Sequence, residues 1–151
     1  MQLAPAQVVL ALLCLIGAYT DVRYRQLPNW LSALTLLAGL GFAFWQSGTG
    51  VLGGHLLHVA AALVVGIAIF ALRIIGAGDA KFYAGVAAWF GLGDVVRLLL
   101  CVSLSGLVLF LAWFLLRRLA RKPISRPGGD TSGMFPYGLA VGVGACVAML
   151  M

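Results

Sequence analysis

The chain contains no glutamate and four aspartates in 151 residues, and two of these, Asp21 and Asp79, interrupt apolar surroundings. Asp79 lies in Ile75-Gly76-Ala77-Gly78-Asp79-Ala80-Lys81, where an acid and a base stand beside two glycines in a long apolar region. A carboxylate near the middle of an apolar segment costs about 2.5–3.5 kcal/mol on membrane insertion, so it usually faces a wet cavity or a partner. Gly76 and Gly78 would let the backbone open, or let another helix come close, bringing water to Asp79. In the simpler alternative they mark a loop, and Asp79 is a solvated acid at a helix start, where the dipole favours it. Asp21 opens a second charged cluster, Asp21-Val22-Arg23-Tyr24-Arg25. If the two acids converge in a partly dehydrated cavity, they are the minimum equipment of an aspartic protease. Close carboxylates do not both ionise cheaply, so one proton is shared: the ionised group takes a proton from a bound water while the protonated one polarises the scissile carbonyl. That chemistry needs no metal and no cofactor.

Other chemistries are poorly supplied. His55 and His58, the two histidines, are three residues apart and share a helix face, but no Cys, Asp or Glu lies nearby in sequence to complete a metal site, so a structural or interfacial role is expected. Cys14, Cys101 and Cys146 stand isolated in apolar segments without a C-x-x-C pattern, and read as packing residues. Asp94 falls on the opposite side from Asp79 in the topology below, and Asp130 lies in a Gly/Pro-rich loop, so neither is expected to act directly.

The elements that must position Asp21 and Asp79 are membrane helices. Hydrophobic residues make up 63% of the chain, charged residues 9%, and the mean hydropathy is +1.08, which describes a polytopic, all-α membrane protein. The length accommodates about six spans of 17–25 residues in a single domain over 1–151. Residues 1–5 carry no Lys or Arg, so the first helix, about Ala4 to Thr20, is expected to remain uncleaved, with the Asp21 cluster at the membrane edge. Pro28 ends any continuing helix, Asn29 can cap a second helix from about Trp30 to Trp45, and Gln46-Ser47-Gly48-Thr49-Gly50 is an uncharged turn. A third span runs from about Val51 to Arg73. Between Arg73 and Asp94 the whole stretch is needed to cross, placing Asp79 one or two turns inside the boundary. A fifth span from about Val95 to Leu116 leads into the long polar loop from Arg117 to Asp130, with five of the ten basic residues, and a sixth covers about Met134 to Met151. Trp30, Trp45, Trp89 and Trp113 fall near the expected span ends, as in an aromatic belt.

With six spans, nine of the ten basic residues collect on one side and Arg97 alone on the other. The positive-inside rule makes the basic side cytoplasmic and places both termini outside. Asp21 and Asp79, 58 residues apart in sequence, then lie at or just inside the same face. The loop from Arg117 to Arg126 reads as a topology signal that can also hold anionic lipid; no nucleic-acid partner is expected.

Gly76-Ala77-Gly78-Asp79-Ala80-Lys81 resembles the Gly-x-Gly-Asp-x-Lys motif of type IV prepilin peptidases, and Asp21-Val22-Arg23 with Leu27-Pro28-Asn29 resembles the motif around their first aspartate. Pro136-Tyr137-Gly138-Leu139-Ala140 is similar to the segment that opens their last helix, and the small size resembles the short Tad/Cpa-type members. The resemblance implies removal of the leader from prepilins or pseudopilins at the cytoplasmic face of the bacterial inner membrane, after a glycine that precedes an apolar helix. Asp21 and Asp79 would be the catalytic pair, Gly76 and Gly78 would shape the backbone around Asp79, Arg23, Pro28, Asn29 and Lys81 would support the motifs, and Pro136, Tyr137 and Gly138 would line the substrate groove. The larger members also methylate the new N-terminus and carry a tetra-cysteine insertion after the first span. The connection from Asp21 to Asn29 is short and has no Cys, which leaves methylation unsupported.

Two functions of other classes use the same residues. Paired intramembrane acids can relay protons or bind a cation in a small transporter, although the far face offers only Asp94 and Arg97. A non-catalytic membrane scaffold would leave both acids unexplained.

Overall fold

A computed structural model describes residues 5–119 and 136–151, and all regular structure among them is helical. The helices are α1 (Pro5–Tyr24), α2 (Asn29–Ser47), α3 (Thr49–Ala71), α4 (Ala77–Ala87), α5 (Val95–Leu119) and α6 (Tyr137–Leu150), with a 3-10 turn, Leu92–Asp94, ahead of α5. Four of them, α1, α2, α3 and α5 with its preceding turn, are long and apolar enough to cross a membrane.

Each long helix turns a narrow stripe inward. On α1 the stripe is Ala6, Leu10, Leu13, Cys14, Gly17 and Asp21, spaced by three and four residues as one helical face requires. Asp21 therefore continues the packing face of α1. The expected end of this helix at Thr20 is corrected: it runs through Asp21 to Tyr24 and stops where Arg25 adopts a left-handed conformation (φ 55°). On α2 the inward stripe is Leu31, Ser32, Thr35, Gly39 and Ala43, and Asn29 is its first residue rather than its cap, which is Pro28. Among residues 46–50 it is Gly48 alone (φ 66°) that breaks the helix, with α2 reaching Ser47 and α3 starting at Thr49.

The centre of the bundle is α4. Phe82, Ala84, Val86, Ala87 and Ala88 are almost wholly enclosed. Small residues make this possible: a methyl added at Gly39 would lie 2.8–3.0 Å from Trp89 and Ala88, one at Gly85 would lie 2.7 Å from the Ser32 carbonyl oxygen, and one at Gly66 would lie 3.0 Å from Ala80 Cβ. Close backbone approach is how helices associate where lipid supplies little hydrophobic drive.

The crossing expected from Arg73 to Asp94 is not a continuous helix. Only 11 residues of it are α-helical, and Asp79 stands in the first turn. The helix ends inside the bundle because Trp89 and Phe90 close it with i→i−3 bonds to Val86 (3.0 Å) and Ala87 (3.1 Å). The carbonyls of Ala88 and Phe90 accept hydrogen bonds from His55 Nδ1 (2.9 Å) and His58 Nδ1 (3.0 Å). The two histidines thus satisfy the end of a short buried helix, which non-helical backbone at such a depth requires. Trp89, expected at an aromatic belt, is buried, and its indole donates to the Thr35 carbonyl at 2.9 Å.

Against this centre, α6 packs between α1 and α5, with Gly142 set against Cys14 and Gly144 against Val102. The thiols of Cys14 and Cys146, which look isolated in the sequence, are hydrogen-bonded to each other across the α1 and α6 contact. At 14 residues α6 is shorter than the span expected from Met134, whose first residues lie outside the described part. Beyond Leu119 the same holds for the long polar loop; Arg117 and Arg118 form the last turn of α5.

Candidate active site

The ends of α1, α2, α4 and α6 that meet at one end of the bundle bring Asp21 and Asp79 to the same cavity. Its volume is about 540 Å³, and Thr20, Arg25, Gln26, Asn29, Gly76 and Gly78 share its walls with the two acids.

Asp21 is 7% exposed and lies in the last turn of α1, where the helix dipole opposes a negative charge. Compensation comes from α6, whose first turn points its backbone N–H groups at the carboxylate. Gly138 N–H donates to Asp21 Oδ2 at 2.7 Å, and Leu139 N–H contributes a second bond. A helix N-terminus is a ready site for an anion. Arg25, one turn beyond Asp21, interacts electrostatically with it, and its amide closes α1 on the Asp21 carbonyl at 3.0 Å.

Asp79 is the third residue of α4, and its Oδ2 reaches back to accept the Gly76 N–H at 3.2 Å. This is the acidic half of a capping box, and it also lies at the favourable end of the dipole. The Asp21 charge lies close enough to act on the Asp79 carboxyl. Like charges at close quarters favour retention of one proton between them.

Both glycines serve close approach, since neither has positive φ. A methyl at Gly76 would stand 2.9 Å from Asp79 Oδ2. One at Gly78 would stand 3.3 Å from both Cβ and the carbonyl oxygen of Leu27. Leu27 also reaches Gly138, where a methyl would lie 3.0 Å from its Cδ1 and 3.0 Å from Asp21 Oδ2. The extended segment after α1 is therefore wedged between the helices that carry or cap the two acids.

Of the other residues singled out in the sequence, Pro28 and Asn29 line the cavity. Lys81 lies outside it, donating to Asn29 Oδ1 at 3.0 Å and so tying α4 to the start of α2. Arg23 is exposed, its guanidinium 5.6 Å from the Tyr24 ring centroid, and it is not brought to the acids. Pro136 is the buried N-cap of α6, Gly138 donates to Asp21, and Tyr137 lines a second, apolar cavity. Gln26 and Thr20 carry no mark in the sequence, whereas Arg25 belongs to the charged cluster that Asp21 opens and stands one helical turn from it.

Two carboxylates thus face one cavity, each with one oxygen held by backbone N–H at a helix start. A sequence model of the type IV leader peptidase family matches residues 8–120. No curated protein and no solved structure matches the chain.

Proposed function

The chain belongs to the type IV leader peptidase family, and from that premise we propose that it is an aspartic endopeptidase that removes the leader from type IV prepilins or pseudopilins. The observation that carries the proposal is the shared cavity of Asp21 and Asp79, with the Asp21 charge acting on Asp79. Between them the two groups hold one proton. The ionised carboxylate accepts a proton from water as the water oxygen adds to the scissile carbonyl, and the protonated partner donates to the carbonyl oxygen. The resulting diol collapses as the C–N bond breaks: the departing amine nitrogen takes up the proton gained from water, and a diol hydroxyl returns its proton to the other carboxylate, so that the pair again holds one proton. Asp21 is steadied by Gly138 and Leu139, Asp79 by Gly76.

In this proposal the catalytic end of the bundle faces the cytoplasm at the bacterial inner membrane, supported by the basic residues gathered there: Arg23, Arg25, Arg73 and Lys81, with Arg117 and Arg118 at the end of α5. The termini lie on the opposite side, and α4 and α6 complete six membrane-embedded helices within one peptidase domain. The far end supplies Asp94 and Arg97, which pair with each other at 3.0 Å, and no observation there favours a transporter.

Co-expression of the chain with prepilins in a host lacking its own leader peptidase tests the proposal. Leader removal read by gel shift and product mass is expected for the wild type. Intact leaders on several prepilins beside well-inserted wild-type protein would overturn it.

A further inference from the structure

Asp21 and Asp79 share one cavity but are not held alike. Asp21 accepts the Gly138 N–H at 2.7 Å and a second bond from Leu139, and Arg25 acts on it from one turn along the chain. Asp79 accepts the Gly76 N–H at the longer distance of 3.2 Å, and the basic residue next to it in sequence, Lys81, donates instead to Asn29 Oδ1 at 3.0 Å. The dipole of α4 favours charge on Asp79, but the start of α6 does the same for Asp21, so the difference lies in the extra donor and the guanidinium. Arg25 also holds its place against strain. Its backbone is left-handed (φ 55°), a conformation that glycine takes freely and other residues do not. Arg73, just beyond α3, is left-handed too (φ 58°), and a cation suits either position because each follows a helix C-terminus. Of the two, Arg25 stands in the wall of the cavity with the acids, whereas Arg73 is exposed and lines neither cavity described above. Strain retained in the wall of a site points to a use for the side chain.

We propose that Arg25 is a positioning residue that assigns the roles within the pair, keeping the charge on Asp21 as general base and leaving the proton on Asp79 as general acid. The inference rests on the peptidase proposal, which leaves the two roles open. In the forward step the water oxygen bonds to the scissile carbonyl carbon, a water proton passes to Asp21, and Asp79 gives its proton to the carbonyl oxygen. As the C–N bond breaks, Asp21 passes its proton to the departing nitrogen and a diol hydroxyl returns one to Asp79. Asp21 ends ionised and Asp79 protonated, as they began. Of the other titratable and charged groups at this end of the bundle, Tyr24 shares the cavity wall, Tyr83 and Tyr137 line the apolar cavity, Lys81 is bonded to Asn29, and Arg23 lies beside the Tyr24 ring. Arg25 is thus the one cation among the described residues of the wall.

The pH dependence of kcat/KM for leader removal tests the assignment. Arg25→Gly, Arg25→Gln and Arg25→Lys are compared with wild type on one prepilin, and Arg73→Gly serves as a control that relieves the same backbone strain away from the site. Thermal unfolding establishes that each variant is folded. The acid limb of the profile reports protonation of the base, and the alkaline limb reports loss of the proton from the acid. Loss of a nearby opposite charge disfavours the ionised form, so Arg25→Gly and Arg25→Gln are expected to move the acid limb upward by about one pH unit, a roughly tenfold loss at a fixed pH on that limb, and to move the alkaline limb less. Arg25→Lys, which keeps the charge, is expected to recover most of that shift, and Arg73→Gly to leave both limbs in place. An unmoved acid limb in the two neutral Arg25 variants, beside a wild type that cleaves, overturns this inference alone. A shift confined to the alkaline limb also overturns it, because the roles of Asp21 and Asp79 are then exchanged. A wild type that cleaves no prepilin removes the peptidase proposal and this inference with it.

Discussion

Gly138→Ala is the smallest change that should disable the site without touching a carboxylate. The added methyl would stand 3.0 Å from Asp21 Oδ2, 3.1 Å from Asp21 Cβ and 3.0 Å from Leu27 Cδ1. Leu27 presents the free end of a flexible side chain and can rotate away. Asp21 cannot relax so simply, because its oxygen is held at 2.7 Å by the N–H of the substituted residue itself. The carboxylate must shift and stretch that bond. Hydrogen bonds to charged groups contribute about 1.5–3 kcal/mol, which corresponds to roughly a 10- to 150-fold loss of rate if the bond is needed throughout the reaction. The assay is leader removal from a prepilin by the purified protein in detergent, with Gly41→Ala as the control, since nothing lies within 4 Å of a methyl there. Circular dichroism and thermal unfolding establish that both variants are folded. A folded Gly138→Ala that cleaves within twofold of wild type would refute the assignment of the α6 N-terminus as the support of Asp21.

His58→Leu leaves the buried Phe90 carbonyl without its partner and should lower stability by about 1–3 kcal/mol in thermal or denaturant unfolding, whereas unchanged stability would remove the histidine from its place at the end of α4. Leu27→Ala empties the space between Gly78 and Gly138 and should destabilise by about 2 kcal/mol, near the low end for such truncations because Leu27 is half-buried, with no loss expected if the segment is not wedged there.

The sequence disclosed the all-helical membrane class and the pair of acids for a physical reason: 63% hydrophobic composition leaves few places for charge, so each buried Asp stands out. It also disclosed that Asp21 and Asp79 fall on one side, because alternating helix direction follows from their number. It did not disclose that α4 stops after 11 residues. Apart from Asp79 and Lys81 the stretch between Arg73 and Asp94 carries no charge, and hydropathy does not distinguish a helix that crosses lipid from one enclosed by other helices. The roles of the two histidines and of Trp89 were hidden for a related reason, since their partners are backbone carbonyls supplied by elements more than thirty residues away. Gly138 was visible within Pro136-Tyr137-Gly138, but its task was not, because a backbone N–H leaves no mark on residue identity. The joining of Cys14 to Cys146 depends likewise on how α1 meets α6, which no spacing within either helix encodes.

The central claim is that Asp21 and Asp79 act as one unit, and cleavage by Asp21→Asn, Asp79→Asn and the double variant tests it most directly. Groups that work together in one step lose their effect together, so the account predicts that each single variant falls to the same floor as the double. A single variant that retains cleavage well above that floor would contradict it.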